Sequence, residues 1–231
     1  LEYNTLVDHK GDMSSNLNSI GAVYYNWGRI DKALENYYAS IEISKEIGNY
    51  FNASLTSSNI GLIQRDRGRI SEAMKSFYNA LEYGIVSKNS ASIGYAYNNI
   101  AVIHKINKEY DSAFAYYQKS YDHYVEADNF GGIVLNLIHI GELHKDLKNF
   151  IESEKYFNQA LEISVPRNER LRIAQAKMYI GEIRREQNKF SEAIKLINES
   201  IELSLFINKN DFLVRNYRNL AEIYEEQRQY A

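Results

Sequence analysis

Apolar and small residues recur along this chain at the spacing of one face of an α-helix. The first such stretch carries Leu17, Ile20, Gly21 and Tyr24, at positions i, i+3, i+4 and i+7. The stretch that follows carries Ala33, Leu34, Tyr37 and Ile41, again on a single helical face. A short polar segment separates the two. The pattern therefore predicts a pair of amphipathic helices joined by a tight turn.

This pair of stretches returns every 40 residues without slippage. A tripeptide in the first stretch marks the period: Ser19-Ile20-Gly21, Asn59-Ile60-Gly61, Asn99-Ile100-Ala101, His139-Ile140-Gly141, Tyr179-Ile180-Gly181 and Asn219-Leu220-Ala221. In the second stretch a small residue recurs as Ala33, Ala73, Ala113, Ser153 and Ala193. A bulky residue follows four positions later, as Tyr37, Phe77, Tyr117, Phe157 and Ile197. Six copies in one register indicate a repeat protein.

The ends of the predicted helices carry turn and capping residues. Gly28 and Gly68 follow the first helix of a pair and are typical of a C-cap. The expected N-caps of the second helix are Asp31, Ser71, Asp111 and Ser191. The second helix is expected to end in a left-handed residue at Asn49, Asn89 and Asn129.

The small residue in each helix lets the two backbones of a pair approach closely. Gly21 or Ala101 has this role in the first helix, and Ala33 or Ala73 in the second. A larger side chain would hold the helices apart at a cost of about 1–3 kcal/mol. One helix pair cannot cover its own apolar face, so neighbouring pairs must stack into a solenoid.

Small, small and aromatic residues at these spacings resemble the tetratricopeptide repeat, and Gly21, Ala33 and Tyr37 carry the resemblance. It covers essentially the whole chain and implies an all-α, right-handed superhelical solenoid of antiparallel helix pairs. The chain departs from the family pattern in its longer period, for which we expect a longer second helix, and in lacking the usual Trp. The residues at that position are Leu17, Ser57, Tyr97, Leu137, Lys177 and Tyr217. This longer variety is similar to repeats of kinesin light chains and of sensor regions in bacterial histidine kinases and helix-turn-helix regulators.

The period divides the chain into units with incomplete ends. Complete repeats are predicted at 14–53, 54–93, 94–133, 134–173 and 174–213, with partial repeats at 1–13 and 214–231. We expect residues 1–231 to form a single solenoid that is a fragment of a longer protein. Since a solenoid without polar capping units leaves apolar ends open, we also expect self-association through those ends.

Composition excludes several classes of protein. The chain has no Cys, so it has neither a disulfide framework nor a cysteine metal site. The net charge of −3 argues against nucleic-acid binding. No apolar run is long enough to cross a membrane, and we expect no membrane contact by this chain. Glycine-rich phosphate loops and nucleophile turns are missing, and we expect neither enzymatic activity nor a cofactor. The compartment stays open, with the cytoplasm favoured over the periplasm.

Asparagines recur where the resemblance implies a concave, peptide-binding face. The candidates are Asn18, Asn59, Asn98, Asn99 and Asn219. An Asn amide offers a donor and an acceptor together, which suits the backbone of an extended peptide. The alternative is that these residues are tolerated polar surface residues, and the two interpretations are equally favoured.

A row of basic residues occupies the equivalent position in four successive repeats: Arg65, Lys105, Lys145 and Arg185. The row suggests an acidic or phosphorylated partner. Neighbouring acidic residues such as Asp66, Asp146 and Glu186 favour the alternative, a solvated face of mixed charge.

These observations predict a module that binds a protein or peptide. We interpret it as the sensory or scaffolding part of a larger bacterial signalling protein. The alternative is a structural scaffold that assembles through its ends or convex face and leaves the groove empty.

Overall fold

The computed structural model describes the backbone of residues 2–229 and the side chains of residues 9–228, and this part of the chain is helical throughout, without strands. The helices are α1 (Glu2–Asn26), α2 (Ile30–Glu46), α3 (Tyr50–Asp66), α4 (Ile70–Val86), α5 (Ser90–Ile106), α6 (Tyr110–Glu126), α7 (Phe130–Asp146), α8 (Phe150–Ser164), α9 (Arg170–Glu186), α10 (Phe190–Phe206) and α11 (Asn210–Gln229). Consecutive helices within a pair pack against each other, so the predicted helix pairs are confirmed.

The chain divides into two compact units, residues 1–129 and residues 130–231. Unit 1 contains the pairs α1/α2, α3/α4 and α5/α6, and unit 2 contains α7/α8, α9/α10 and the unpaired helix α11. The single solenoid expected for residues 1–231 stays a prediction. Residues 1, 230 and 231, at the ends of the two predicted partial repeats, lie outside the described residues.

The same turn closes every helix from α1 to α10. In the first turn, the Arg29 amide donates to the Tyr24 carbonyl and the Gly28 amide donates to the Tyr25 carbonyl, both at 2.8 Å. This pair of bonds is the Schellman motif, which satisfies carbonyls left free at a helix end. It requires a left-handed residue, and one occurs every 20 residues: Gly28, Gly48, Gly68, Lys88, Lys108, Asp128, Lys148, Asn168, Asn188 and Asn208.

The residues at the helix ends have other roles than the sequence predicted. Asn49, Asn89 and Asn129 are not the left-handed residues, because Gly48, Lys88 and Asp128 adopt that conformation one position earlier. The Asn49 and Asn89 side chains instead accept hydrogen bonds from backbone amides in the first turns of α3 and α5, and so act as N-caps.

The expected N-caps of the second helices were also wrong. Asp31, Ser71, Asp111 and Ser191 lie inside the first turn of their helices, and the residue before each helix makes no side-chain cap. The longer period does not lengthen the second helix alone, since α3 and α4 both contain 17 residues. The helix pairs also begin four residues before the predicted repeats, because α3 starts at Tyr50 and not at residue 54.

A glycine of the first helix lies directly under an aromatic ring of the second. A Cβ atom added at Gly61 would lie 2.4 Å from Cε1 of Phe77, and one at Gly141 would lie 2.6 Å from Cε1 of Phe157. Both rings are fully buried. The predicted close approach of the paired helices is thus confirmed, and the ring occupies the space that the glycine leaves.

Within each unit, a helix pair also packs against the first helix of the next pair. In unit 1, Ala73 and Phe77 of α4 form one buried cluster with Ile100 and Ile103 of α5. Buried serines add hydrogen bonds between the two helices of one pair. The Ser40 hydroxyl donates to the Ser14 carbonyl at 2.7 Å, and the Ser120 hydroxyl donates to the Gly94 carbonyl at 2.8 Å. Stacking therefore buries the apolar face that a single pair leaves open, as the repeat pattern predicted.

The same substitution is expected to have opposite effects at two helical glycines. Gly61→Ala should lower the free energy of unfolding by about 1–3 kcal/mol, because its Cβ would overlap the Phe77 ring. Gly11→Ala should raise it by about 0.5–1 kcal/mol, because the nearest atom to its Cβ would be the Ile47 Cδ1 at 3.9 Å and alanine favours the helix. Urea denaturation measures both changes.

A second substitution identifies the cause of the loss. If the Phe77 ring is responsible, adding Phe77→Leu to Gly61→Ala should recover part of the stability, so that the two effects are not additive. Simple additivity of the two losses would show that the ring is not responsible.

Candidate functional site

The odd-numbered helices form the inner layer of each unit. In unit 1, α3 contacts both α1 and α5, and in unit 2, α9 contacts both α7 and α11. Among the described residues, no even-numbered helix contacts another even-numbered helix. The odd-numbered helices are therefore closer together, and the face that they present is the inner face of each unit. This face is where the sequence predicted peptide binding.

Two hydrogen bonds join α1 to α3 on the inner face of unit 1. Asn59 Nδ2 donates to Asn18 Oδ1 at 3.0 Å, and two helical turns further on the Tyr25 hydroxyl donates to Asp66 Oδ2 at 2.5 Å. The structure thus brings Asn18 and Asn59 together, as a pair. No other hydrogen bond to Asn59 Oδ1 or from Asn18 Nδ2 occurs among the described residues, so each amide keeps a polar group for a partner.

The tyrosines of this face are held in their neutral form. The hydrogen bond to Asp66, followed by burial, raises the pKa of Tyr25 to about 12. Burial also raises the pKa of Tyr95, which lies near Arg65. Both hydroxyls are therefore protonated at neutral pH, and this part of the inner face carries little charge.

Apolar side chains surround the asparagine pair. Leu55, Leu62 and Asp66 share the helical face of Asn59, and Tyr95 and Val102 occupy the equivalent face of α5; the four apolar side chains are partly exposed. The sequence analysis did not select the two leucines, although their i−4 and i+3 spacing from Asn59 would have identified them. On α1 the residues 40 positions before Leu55, Asn59 and Leu62 are the small Ser15, Ser19 and Ala22. The inner face of unit 1 thus combines small, apolar and amide groups.

The inner face of unit 2 carries a buried ion-pair network. Glu182, with 5% exposure, accepts from Arg215 Nε at 2.6 Å and Arg215 Nη2 at 2.8 Å. Lys145 Nζ donates to the same carboxylate at 2.8 Å, and Asn219 Nδ2 at 3.1 Å. Burial raises the pKa of Glu182, but the hydrogen bonds and charges of Arg215 and Lys145 outweigh burial and hold the pKa below its usual value. A cavity of about 490 Å³ lies beside Glu182, Arg215 and Asn219.

Most residues of the predicted basic row form ion pairs with carboxylates of the same chain. Arg65 Nη2 contacts Asp66 at 2.7 Å, and Lys145 contacts Glu182. Arg185 pairs with Glu186 and Glu222. Lys105 is partly buried and also interacts within the chain. Neighbouring carboxylates therefore balance the charges of Arg65, Lys145 and Arg185, as a face of mixed charge requires.

Three of the predicted asparagines are buried. Asn98 and Asn99 on α5 have 2% and 3% exposure, and Asn219 on α11 has 5%. Asn219 is held by Glu182, Arg185 and its own helix. These three side chains lie beneath the surface of the inner faces. Asn18 and Asn59 are partly exposed on the inner face of unit 1.

Within residues whose side chains are described, no group of three His, Cys, Asp or Glu side chains is placed to hold a metal ion. None of the described helices combines the length and apolarity needed to cross a membrane.

Comparison with known proteins gives the same repeat architecture. Family models described as tetratricopeptide repeat match residues 14–47 in one case and residues 92–164 and 132–205 in the other. A search of characterised protein sequences finds no match.

Solved structures share the fold at low sequence identity. The chain is similar to BtubC (BKLC) from P. vanneervenii, with 16% identity and a TM-score of 0.72, over 90% of this chain and 87% of that one. It is similar to the apo form of RapI, with 12% identity and a TM-score of 0.72, over 88% and 74%. Aspartyl phosphate phosphatase F from Bacillus subtilis has 11% identity and a TM-score of 0.68, over 94% and 60%. These likenesses confirm the predicted solenoid of antiparallel helix pairs.

The Glu182 network predicts a pH-dependent contribution to stability. Since the folded pKa of Glu182 is lowered, the contribution is present above the unfolded pKa of about 4.3 and is lost as pH falls through the folded pKa. Glu182→Gln should cost about 1–3 kcal/mol at pH 7, because it leaves Arg215 and Lys145 without their carboxylate. The difference between the native chain and this variant should shrink as pH falls below the unfolded value.

Denaturant unfolding at pH 7 and at acidic pH measures this difference. Glu152→Gln, which removes an exposed partner of Lys155, is the control and should change stability by less than about 0.5 kcal/mol. An equal loss at both pH values for Glu182→Gln would contradict the proposed role of its ionised form.

Proposed function

Because the chain belongs to the tetratricopeptide repeat family, we propose that it binds an extended segment of a partner protein on the inner face of unit 1. The chain is a protein–protein interaction module. The finer assignment depends on one observation, the Asn18–Asn59 pair among partly exposed apolar side chains.

The asparagine pair suits an extended backbone. Once Asn59 Nδ2 has donated to Asn18 Oδ1, Asn59 Oδ1 accepts a peptide N–H and Asn18 Nδ2 donates to a peptide carbonyl. Leu55, Leu62 and Tyr95 lie on either side of this pair and accept apolar side chains of the segment. Three neighbouring helices at about 8–10 Å span roughly 20 Å, the length of about six extended residues.

The partner segment is expected to be mainly uncharged where it crosses α3. The Arg65 charge is balanced by Asp66, and Tyr25 and Tyr95 are neutral. For the inner face of unit 1, we therefore expect a mainly uncharged segment and not the acidic partner that the basic row suggested.

A wider role follows the sequence interpretation. We propose that the module is the sensory or scaffolding part of a larger bacterial signalling protein, in which occupancy of the inner face shifts the population of conformations. Aspartyl phosphate phosphatase F from Bacillus subtilis has the same fold, and at 11% identity this likeness concerns the fold alone. A full-length gene without an attached effector domain would contradict the signalling role.

Removing the asparagine pair should weaken peptide binding. The test selects peptides of about eight residues from a random displayed library on the native chain. Their affinity for the Asn18→Ala, Asn59→Ala double variant should fall about tenfold, the loss expected for two neutral hydrogen bonds of about 0.5–1.5 kcal/mol each. Fluorescence anisotropy with labelled peptides measures the change.

Asn36→Ala is the matched control, because Asn36 is an exposed asparagine of α2 that bonds only to the Lys32 carbonyl. It should leave affinity unchanged. If the double variant binds every selected peptide as tightly as the native chain does, the inner face of unit 1 is not the site, and the alternative of a scaffold that leaves its groove empty gains support.

A further inference from the structure

Unit 2 has an exposed apolar surface away from its inner face. It lies where even-numbered helices end and odd-numbered helices begin, and we call it the apolar edge of unit 2. Its residues are Phe130, Val165, Leu171, Leu205 and Phe206. All are exposed, and Phe206 reaches 66%. An apolar cluster of this kind on a protein surface is typical of an interaction site.

Two arginines connect this edge into one surface. Arg167, in the turn between α8 and α9, places its guanidinium carbon 4.1 Å from the ring centre of Phe130. Arg170, at the start of α9, lies 3.9 Å from the ring centre of Phe206. The turn therefore spans from the beginning of α7 to the end of α10, and the aromatic residues at both positions belong to the same surface.

The charges of these arginines are not balanced by carboxylates. Among the described residues, Arg170 forms no ion pair, and Arg167 donates only to the Ile163 carbonyl, at 3.0 Å. Glu169 lies in the same turn but pairs with neither arginine. By contrast, Lys145, Arg185 and Arg215 on the inner face of unit 2 each contact a carboxylate. The apolar edge thus combines exposed apolar side chains with two arginines that no carboxylate of the described residues balances.

The exposure of this edge is a property of its position in the repeat. Val165 and Leu205 are equivalent to Ile85 and Val125 of unit 1, which lie one to three 40-residue periods earlier and are also exposed, at 55% and 47%. Exposure therefore occurs at interior repeats as well as near α11. What distinguishes unit 2 is the addition of the two arginines and two phenylalanines.

We propose that the apolar edge of unit 2 binds a segment of a partner protein that carries both carboxylate and aromatic or aliphatic side chains. A guanidinium stacked on a ring keeps its N–H groups in its own plane, where they can donate past the edge of the ring to a carboxylate in bidentate fashion. The apolar side chains of the segment cover Phe206, Leu205 and Val165.

This site goes beyond the proposed function, because it lies on another surface and selects a different kind of segment. An anionic membrane surface has similar chemistry. The net charge of −3 favours a protein segment over an anionic membrane.

The test uses an array of short peptides in which Asp or Glu alternates with Leu, Phe or Trp. A second array carries Asn or Gln in place of every acidic residue. We expect the native chain to bind members of the acidic array and to bind their neutral counterparts at least about tenfold more weakly. Higher salt should weaken the acidic binding, since exposed charges are screened.

Two variants assign the binding to the edge. The double variant Arg167→Gln, Arg170→Gln should reduce binding of the acidic peptides about tenfold. The single variant Phe206→Ser should reduce it by a similar factor. The matched control is the double variant Lys189→Gln, Lys195→Gln. It removes the same amount of positive charge, but from exposed lysines elsewhere in unit 2. Circular dichroism melts confirm that all variants are folded.

Three results would overturn the proposal: no binding to the acidic array, equal binding to both arrays, or equal loss in the lysine control. Tighter binding to vesicles of phosphatidylserine and phosphatidylcholine than to any acidic peptide, lost in the arginine variant, would overturn it in favour of a membrane. The Asn18→Ala, Asn59→Ala variant should keep acidic-peptide binding, so failure of this proposal and failure of the inner-face proposal are distinguishable.

Discussion

The close approach of two helices at one small residue in each pair is the constraint on which the rest of the structure depends. The Phe77 ring lies directly on the backbone of Gly61, so the helices of that pair are held at a distance that a larger side chain would not allow. The same ring then packs against Ile100 and Ile103 of the next pair. Packing within one pair therefore determines the surface on which the next pair stacks.

The regular turns let this constraint recur without drift. A left-handed residue at every twentieth position ends each helix at the same point of the repeat. The Schellman hydrogen bonds satisfy the last carbonyls of the helix. Seven of these positions hold Lys, Asp or Asn instead of Gly, at a modest cost in backbone strain. The turn forms with Lys, Asp or Asn at these positions as well as with Gly. Packing between helices, more than the turn preference of one residue, therefore determines where each helix ends.

The two units offer partners different chemistry. On the inner face of unit 1, an asparagine pair lies among apolar side chains, with the nearby charge of Arg65 balanced by Asp66. On the inner face of unit 2, Glu182 gathers Arg215, Lys145 and Asn219 into a network that stabilises the fold. The apolar edge of unit 2 carries Arg167 and Arg170, which form no ion pair among the described residues and lie over the rings of Phe130 and Phe206. A module with two such surfaces would bind different segments independently.

The sequence by itself determined the helix pairs, the period and the small-residue contact, because each depends on local spacing along the chain. It also selected Asn18 and Asn59. It did not determine the exact helix ends, since Asn49 suits either a left-handed C-cap or an N-cap and only packing decides between them. Nor did it show that Asn98 is buried or that Lys145 and Arg185 are paired. Burial and ion pairing depend on residues 30 to 40 positions away, such as Glu182 beside Lys145, which only the tertiary structure brings together.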